Sequence, residues 1–210
     1  MPYLSPQTLA AFAMTSLIIE LTPGPNMAFL AILSASQGRR AGVAATVGIA
    51  LGLLLVGLAA ALGLAAAISE SPTLYALLRW GGVAYLLWLA WDGWRDASES
   101  SPARTKSHEP DTDFFIRGLI TNLLNPKAAV FFVAMLPTFI DPARFVLWQT
   151  LLLTVFYVTI ATGVHIVIVS LAGTARPFLE DPNRSRVVRR TLSLVLGLIA
   201  VWFALSSAHA

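Results

Sequence analysis

The 210-residue chain is 57% hydrophobic and only 12% charged, with a formal net charge of +3. An ordinary soluble domain carries about a quarter charged residues, so half that share points to lipid as the main solvent. The absence of cysteine excludes a disulfide framework and thiolate metal sites.

The N-terminus has no Lys or Arg in a leading region, and its A-F-A at 11–13 precedes the apolar run instead of following it. It does not read as a secretory signal, so the whole chain is taken as mature protein. A bilayer span needs about 20 mostly apolar residues. Six segments qualify: 8–34, 42–69, 72–94, 114–138, 145–172 and 191–208. The expected fold is therefore an all-α integral membrane protein of six transmembrane helices.

The first span is interrupted by "ELTPGPNMAF", which sets a carboxylate, Glu20, beside Pro23, Gly24, Pro25 and Asn26. Proline lacks an N–H and presets φ for a helix start, so Pro25 is expected to begin a half-helix inside the membrane. The second span is the cleanest, with no charged side chain from 41 to 69. Its "GIALG" at 48–52 has the spacing for close helix contact, within one protomer or in a homodimer. The third carries Arg79 and Asp92 inside its ends. Asp92 is expected at the interface near Arg95. The polar stretch 95–113 that follows reads as a flexible loop.

The fourth span is broken by "TNLLNPKAAVFF", holding Asn122, Asn125, Pro126 and Lys127. Set on the first break, Pro126 falls on Pro25 and Ala129 on Ala28, 101 residues apart. A weaker match places 190–202 on 79–91. The spans thus fall into two three-helix repeats, about 8–94 and about 114–208, in one transmembrane transporter domain. An odd number of spans per half makes the second inverted. Inverted repeats with interrupted helices at the midplane are an architecture of secondary transporters.

The fifth span contains His165, an ionisable group at membrane depth and a candidate proton carrier, or a residue bonded to a neighbouring helix. Orientation follows from Lys and Arg. Eleven of them, from Arg39 to Arg190, lie in or beside the loops after spans one, three and five, against Arg144 alone on the other side. The odd-numbered loops should be cytoplasmic and both termini outside.

Counting at 1.5 Å per residue, Glu20 lies about 16 Å into its span and Lys127 about 19 Å into its own. Both are near the middle of a core about 30 Å thick, where a charge needs a partner or a wet cavity. A carboxylate, an ammonium, Asn26, Asn125 and two half-helix ends would complement a zwitterion such as an amino acid. The half-helix N-termini and Lys127 would take its carboxylate, and Glu20 its ammonium. Asn122 joins these substrate-binding candidates, and Glu20 and His165 are those for proton coupling. No cofactor motif, catalytic triad, metal cluster or nucleic-acid signal is present. The rivals are an exporter of inorganic cations, for which the spans offer mainly Glu20, Asp92 and His165 as ligands, and a noncatalytic membrane assembly subunit.

"LTPGPN" in the first span, the Gly-rich second span, "GGVAYLLWLAW" in the third and "GLITNLLNPKAAVFF" in the fourth resemble the lysine exporter/RhtB family across nearly the whole chain. The resemblance implies a proton-motive-force-driven exporter of amino acids or their derivatives in a bacterial inner membrane. It also implies a functional core of Pro23, Gly24, Pro25 and Asn26 with Asn125, Pro126 and Lys127.

Overall fold

A computed structural model describes residues 4–22, 24–63, 71–98 and 110–174, with positions 187, 190, 191, 193–195, 197, 198 and 201. Among the described residues the regular structure is entirely helical.

Helix α1 is Pro6–Leu21. Ser5 caps it by accepting from the Thr8 N–H, and Pro6 takes the first position, where no donor is needed. Helix α2, Pro25–Gln37, restarts on Pro25. The two axes are bent by 58°. Gly38, at φ 95°, is all that separates α2 from α3, Arg39–Ala61. That left-handed φ favours glycine, and it turns the chain back into the membrane in one residue. α3 ends at Leu62 with Gly63 at φ 79°. This stops the helix short of the expected residue 69, because a left-handed glycine just past the last turn terminates a helix; residues 64–70 lie outside the described set.

Helix α4 is Pro72–Ser98, running four residues past the expected end at Trp94 with Arg95 in its last turn. Helix α5 is Asp111–Leu123, starting three residues earlier than expected. Asp111 and Asp113 sit in its first turn, where the positive end of the helix dipole stabilises carboxylates. After Leu124, α6 restarts on Pro126, and the path bends by 53°. It is regular only over Pro126–Val130 before a π turn, Phe131–Met135, and a 3₁₀ turn, Leu136–Phe139. Helix α7 is Val146–Gly173. Most of the expected sixth span, like the basic stretch 175–186, lies outside the described residues.

Helices α3 and α7 are each long and apolar enough to cross a bilayer, and each bent pair reaches that length together, for up to four spans. Outward-facing Val47, Leu54 and Leu58 on α3, and Leu152, Val155 and Val167 on α7, are exposed. Apolar surface this continuous calls for lipid.

α3 is the hub, packed along α5 and α7. A Cβ on Gly48 would stand 2.0 Å from the Phe115 carbonyl oxygen, and one on Gly118 would stand 2.1 Å from that of Ala45. The two backbones therefore touch, which only glycine permits. Gly52 sits against the Asn122 amide in the same seam. "GIALG" thus serves packing within the protomer. Around it lies an aromatic core: Phe131 stacks on Tyr157 at 3.8 Å between ring centroids, and Phe12 meets Phe139 edge-on at 5.2 Å. This core sits directly against the two breaks.

Candidate functional site

The breaks face each other, and their bonds are reciprocal. Asn26 and Lys127 occupy matching places, one residue past the proline that restarts each span. Lys127 reaches the end of α1, where its Nζ donates to the Thr22 carbonyl at 2.7 Å. Asn26 reaches the last turn of α5, where its Nδ2 donates to Oδ1 of Asn122 at 2.9 Å. Each restarting half-helix is thereby tied to the C-terminal end of the other span's first half.

The two restarts differ in capping. At α6 the Asn125 side chain accepts from the Lys127 N–H at 3.0 Å, so one donor of the first turn is already satisfied. At α2 the cap is Gly24, which has no side chain to offer. The uncapped start of α2 is the better place for an anionic group. Gly24 matters in a second way: a Cβ there would lie 3.2 Å from Cδ of Lys127 and 3.5 Å from its Nζ. The lysine stem runs along this bare backbone to reach Thr22.

Glu20 is buried in the last turn of α1 and faces α7. The Tyr157 hydroxyl donates to its Oε1, and Nε2 of His165 stands 3.3 Å from its Oε2. Tyr157, Ala161 and His165 lie four residues apart on one buried stripe of α7. The small Ala161 separates the two partners, so the carboxylate is bracketed by a phenol on one side and an imidazole on the other. Nδ1 of His165 has no hydrogen-bond partner among the described residues, and the same holds for Oδ1 of Asn26 and Nδ2 of Asn122.

A small cavity joins these groups, lined by Glu20, Gly24, Asn26, Asn125, Lys127 and Tyr157, with Met27, Leu53 and Ala128 as apolar walls. In this conformation it has room for about one water molecule. Glu20 and Lys127, of opposite charge type, both line it.

Of the residues expected from the sequence, Glu20, Gly24, Asn26, Asn125 and Lys127 meet at this cavity, while Asn122 and His165 stand directly behind it. The backbone of Pro25 and of Pro126 starts the half-helices as expected. Pro23, and the Asp92 side chain, lie outside the described residues. Tyr157 and Thr22 were not anticipated. Tyr157 shares the helical stripe of His165, eight residues away, which is the signal that could have found it. No group of three or more His, Cys, Asp or Glu comes together among the described residues.

The chain matches the LysE type translocator family over residues 17–208. It belongs to that family. A membrane protein of Vibrio cholerae described as uncharacterized is 33% identical over 174 residues, 82% of this chain and 84% of that one. A homoserine/homoserine lactone efflux protein of Salmonella typhimurium is 28% identical over 200 residues, 95% of this chain and 97% of that protein. A leucine efflux protein of Enterobacter sp. is 32% identical over 131 residues, 62% of each chain. No solved structure matches. This LysE-family translocator is thus a multi-pass membrane protein and not an enzyme, with relatives named as amino-acid efflux proteins.

Proposed function

We propose that this protein is a secondary active exporter of amino acids or their derivatives across the bacterial inner membrane, driven by the proton motive force. The observation that carries the proposal is the reciprocal bonding of two broken spans around a buried carboxylate–ammonium cavity. Such a site suits a zwitterion of amino-acid size, and the relatives named for homoserine and leucine efflux support that substrate class. The substrate carboxylate binds at the uncapped start of α2 and at Lys127. Its ammonium binds at Glu20.

The fold reading behind this is six spans in two inverted three-helix repeats, 8–94 and 114–208, joined by the loop 95–113. The matching roles of Asn26 and Lys127 support the repeat. Because the cavity holds only about one water molecule here, an amino acid enters as the bundles rock apart, first toward one side and then toward the other. Glu20 and His165 carry the coupled proton, passing it between carboxylate and imidazole.

The test is transport by the purified full chain in proteoliposomes. An imposed pH gradient should drive accumulation of radiolabelled L-homoserine or L-leucine, and unlabelled substrate inside should drive counterflow. Absence of both across a panel of amino acids would reject the carrier reading in favour of an assembly role.

A further inference from the structure

Lys127 does more in this structure than wait for a carboxylate. Its ammonium is bonded to the Thr22 carbonyl at the C-terminal end of α1, where a helix dipole presents negative charge. Glu20, in the last turn of α1, adds a carboxylate to the lining of the shared cavity. Thr22 and Glu20 therefore flank a place for an ammonium, and this chain's own lysine is bonded at its Thr22 side.

We infer that Lys127 is a tethered stand-in for the substrate's ammonium, holding the Thr22–Glu20 position in the empty carrier and released from it when a substrate amine arrives. The inference rests on the amino-acid reading above and adds what happens to the lysine. Three observations carry it. The bond at 2.7 Å ends on a backbone carbonyl that α1 leaves free at its end. The lysine stem runs close along Gly24 to reach it, with Cδ 3.2 Å from where a Cβ would be, so a side chain there would crowd it. Its other neighbours leave Glu20 available on the cavity side, since Tyr157 and His165 approach the carboxylate from α7.

The exchange conserves charge in the site. Before binding, one ammonium faces one carboxylate. After binding, the substrate ammonium takes the Thr22–Glu20 position, and the displaced Lys127 takes the substrate carboxylate. No charge at membrane depth is left alone at either stage, which matters because an unpaired one there is costly. A zwitterion supplies both halves of this exchange. An amine without a carboxylate must displace the lysine and give it nothing in return.

The experiment compares L-homoserine, a zwitterion, with L-homoserine lactone, which keeps the ammonium and lacks the carboxylate. Binding to the purified full chain in detergent is measured by titration calorimetry for wild type, Lys127→Met and Gly24→Ala. In Lys127→Met the position is vacated, so the lactone should bind about 10-fold tighter than to wild type while homoserine does not gain, a range set by charge-assisted hydrogen bonds. In Gly24→Ala the lysine is crowded, and the lactone should gain a few-fold with all charges retained. Lactone affinity unchanged or weakened in both variants overturns the inference. Should Lys127→Met fail to fold, Gly24→Ala decides alone. If wild type binds neither compound nor any other amino acid, the broader amino-acid reading falls as well. If homoserine binds and the variants leave the lactone unmoved, only the stand-in role falls.

Discussion

The hydroxyl of Tyr157 donates to the carboxylate of Glu20, a residue 137 positions earlier in the chain. His165, two turns further along the same helix, stands 3.3 Å from the other carboxylate oxygen. Glu20 therefore binds α1 to α7 just at the point where the first span breaks. Tyr157→Phe keeps the ring stacked on Phe131 but removes the donor. A hydrogen bond to a charged group contributes about 1.5–3 kcal/mol, so the variant should melt earlier than wild type. His165→Gln keeps a polar group of similar reach but cannot take a proton. Accumulation of L-homoserine driven by a pH gradient should fall at least 10-fold in this variant. Gradient-driven accumulation equal to wild type at matched reconstitution would remove His165 from the coupling.

The seam between α3 and α5 yields a prediction about stability alone. A Cβ on Gly48 or Gly118 would collide with backbone of the facing helix at 2.0 or 2.1 Å, and backbone cannot swing aside. Gly48→Ala and Gly118→Ala should each destabilise by about 1–3 kcal/mol or more. Gly163 in α7 has nothing within 4 Å of the same position. Gly163→Ala should be neutral or stabilising by up to about 1 kcal/mol, from helix propensity. Thermal unfolding in detergent reads all three. Equal melting of the Gly48 and Gly163 variants would show that the seam is looser than its geometry.

Pro25 and Pro126 start the two half-helices. Alanine at either position restores a backbone donor and lets the span straighten. Both variants should insert into the membrane at wild-type levels, while efflux drops by an order of magnitude or more, roughly the effect of misplacing a binding group by about 1 Å. Efflux at the wild-type rate from either one would mark that proline as an ordinary kink.

Orientation rests on the eleven-to-one distribution of Lys and Arg between the two sides. Alkaline phosphatase fused after Ala210 should be active in the periplasm, and the enzyme fused within residues 98–107 should be inactive. The opposite pair of results would place the termini in the cytoplasm.

The sequence by itself determined that the chain lives in lipid, that it is helical, and that two of its apolar segments are broken at a Pro/Asn cluster. Those properties are local or compositional. A charged fraction of 12% points to lipid as the solvent, and the fixed φ of a proline suits it to the first position of a helix. It also pointed to most of the polar residues that line the cavity, because Glu20, Asn26, Asn125 and Lys127 are polar groups in apolar segments, where polar groups are expensive.

The tertiary structure alone decided what these residues hold on to. Lys127 bonds to the Thr22 carbonyl, an unremarked backbone atom 105 residues away, and no side-chain pattern identifies which carbonyl a lysine will reach. Tyr157 was invisible for a related reason. A tyrosine in an apolar helix reads as core until another helix brings a carboxylate to its hydroxyl. The "GIALG" glycines permit close contact with any helix, and only the packing of α3 on α5 shows which partner uses it. The second half-helix passes after five residues into a π and then a 3₁₀ turn, where Pro137 has no N–H with which to continue the α ladder.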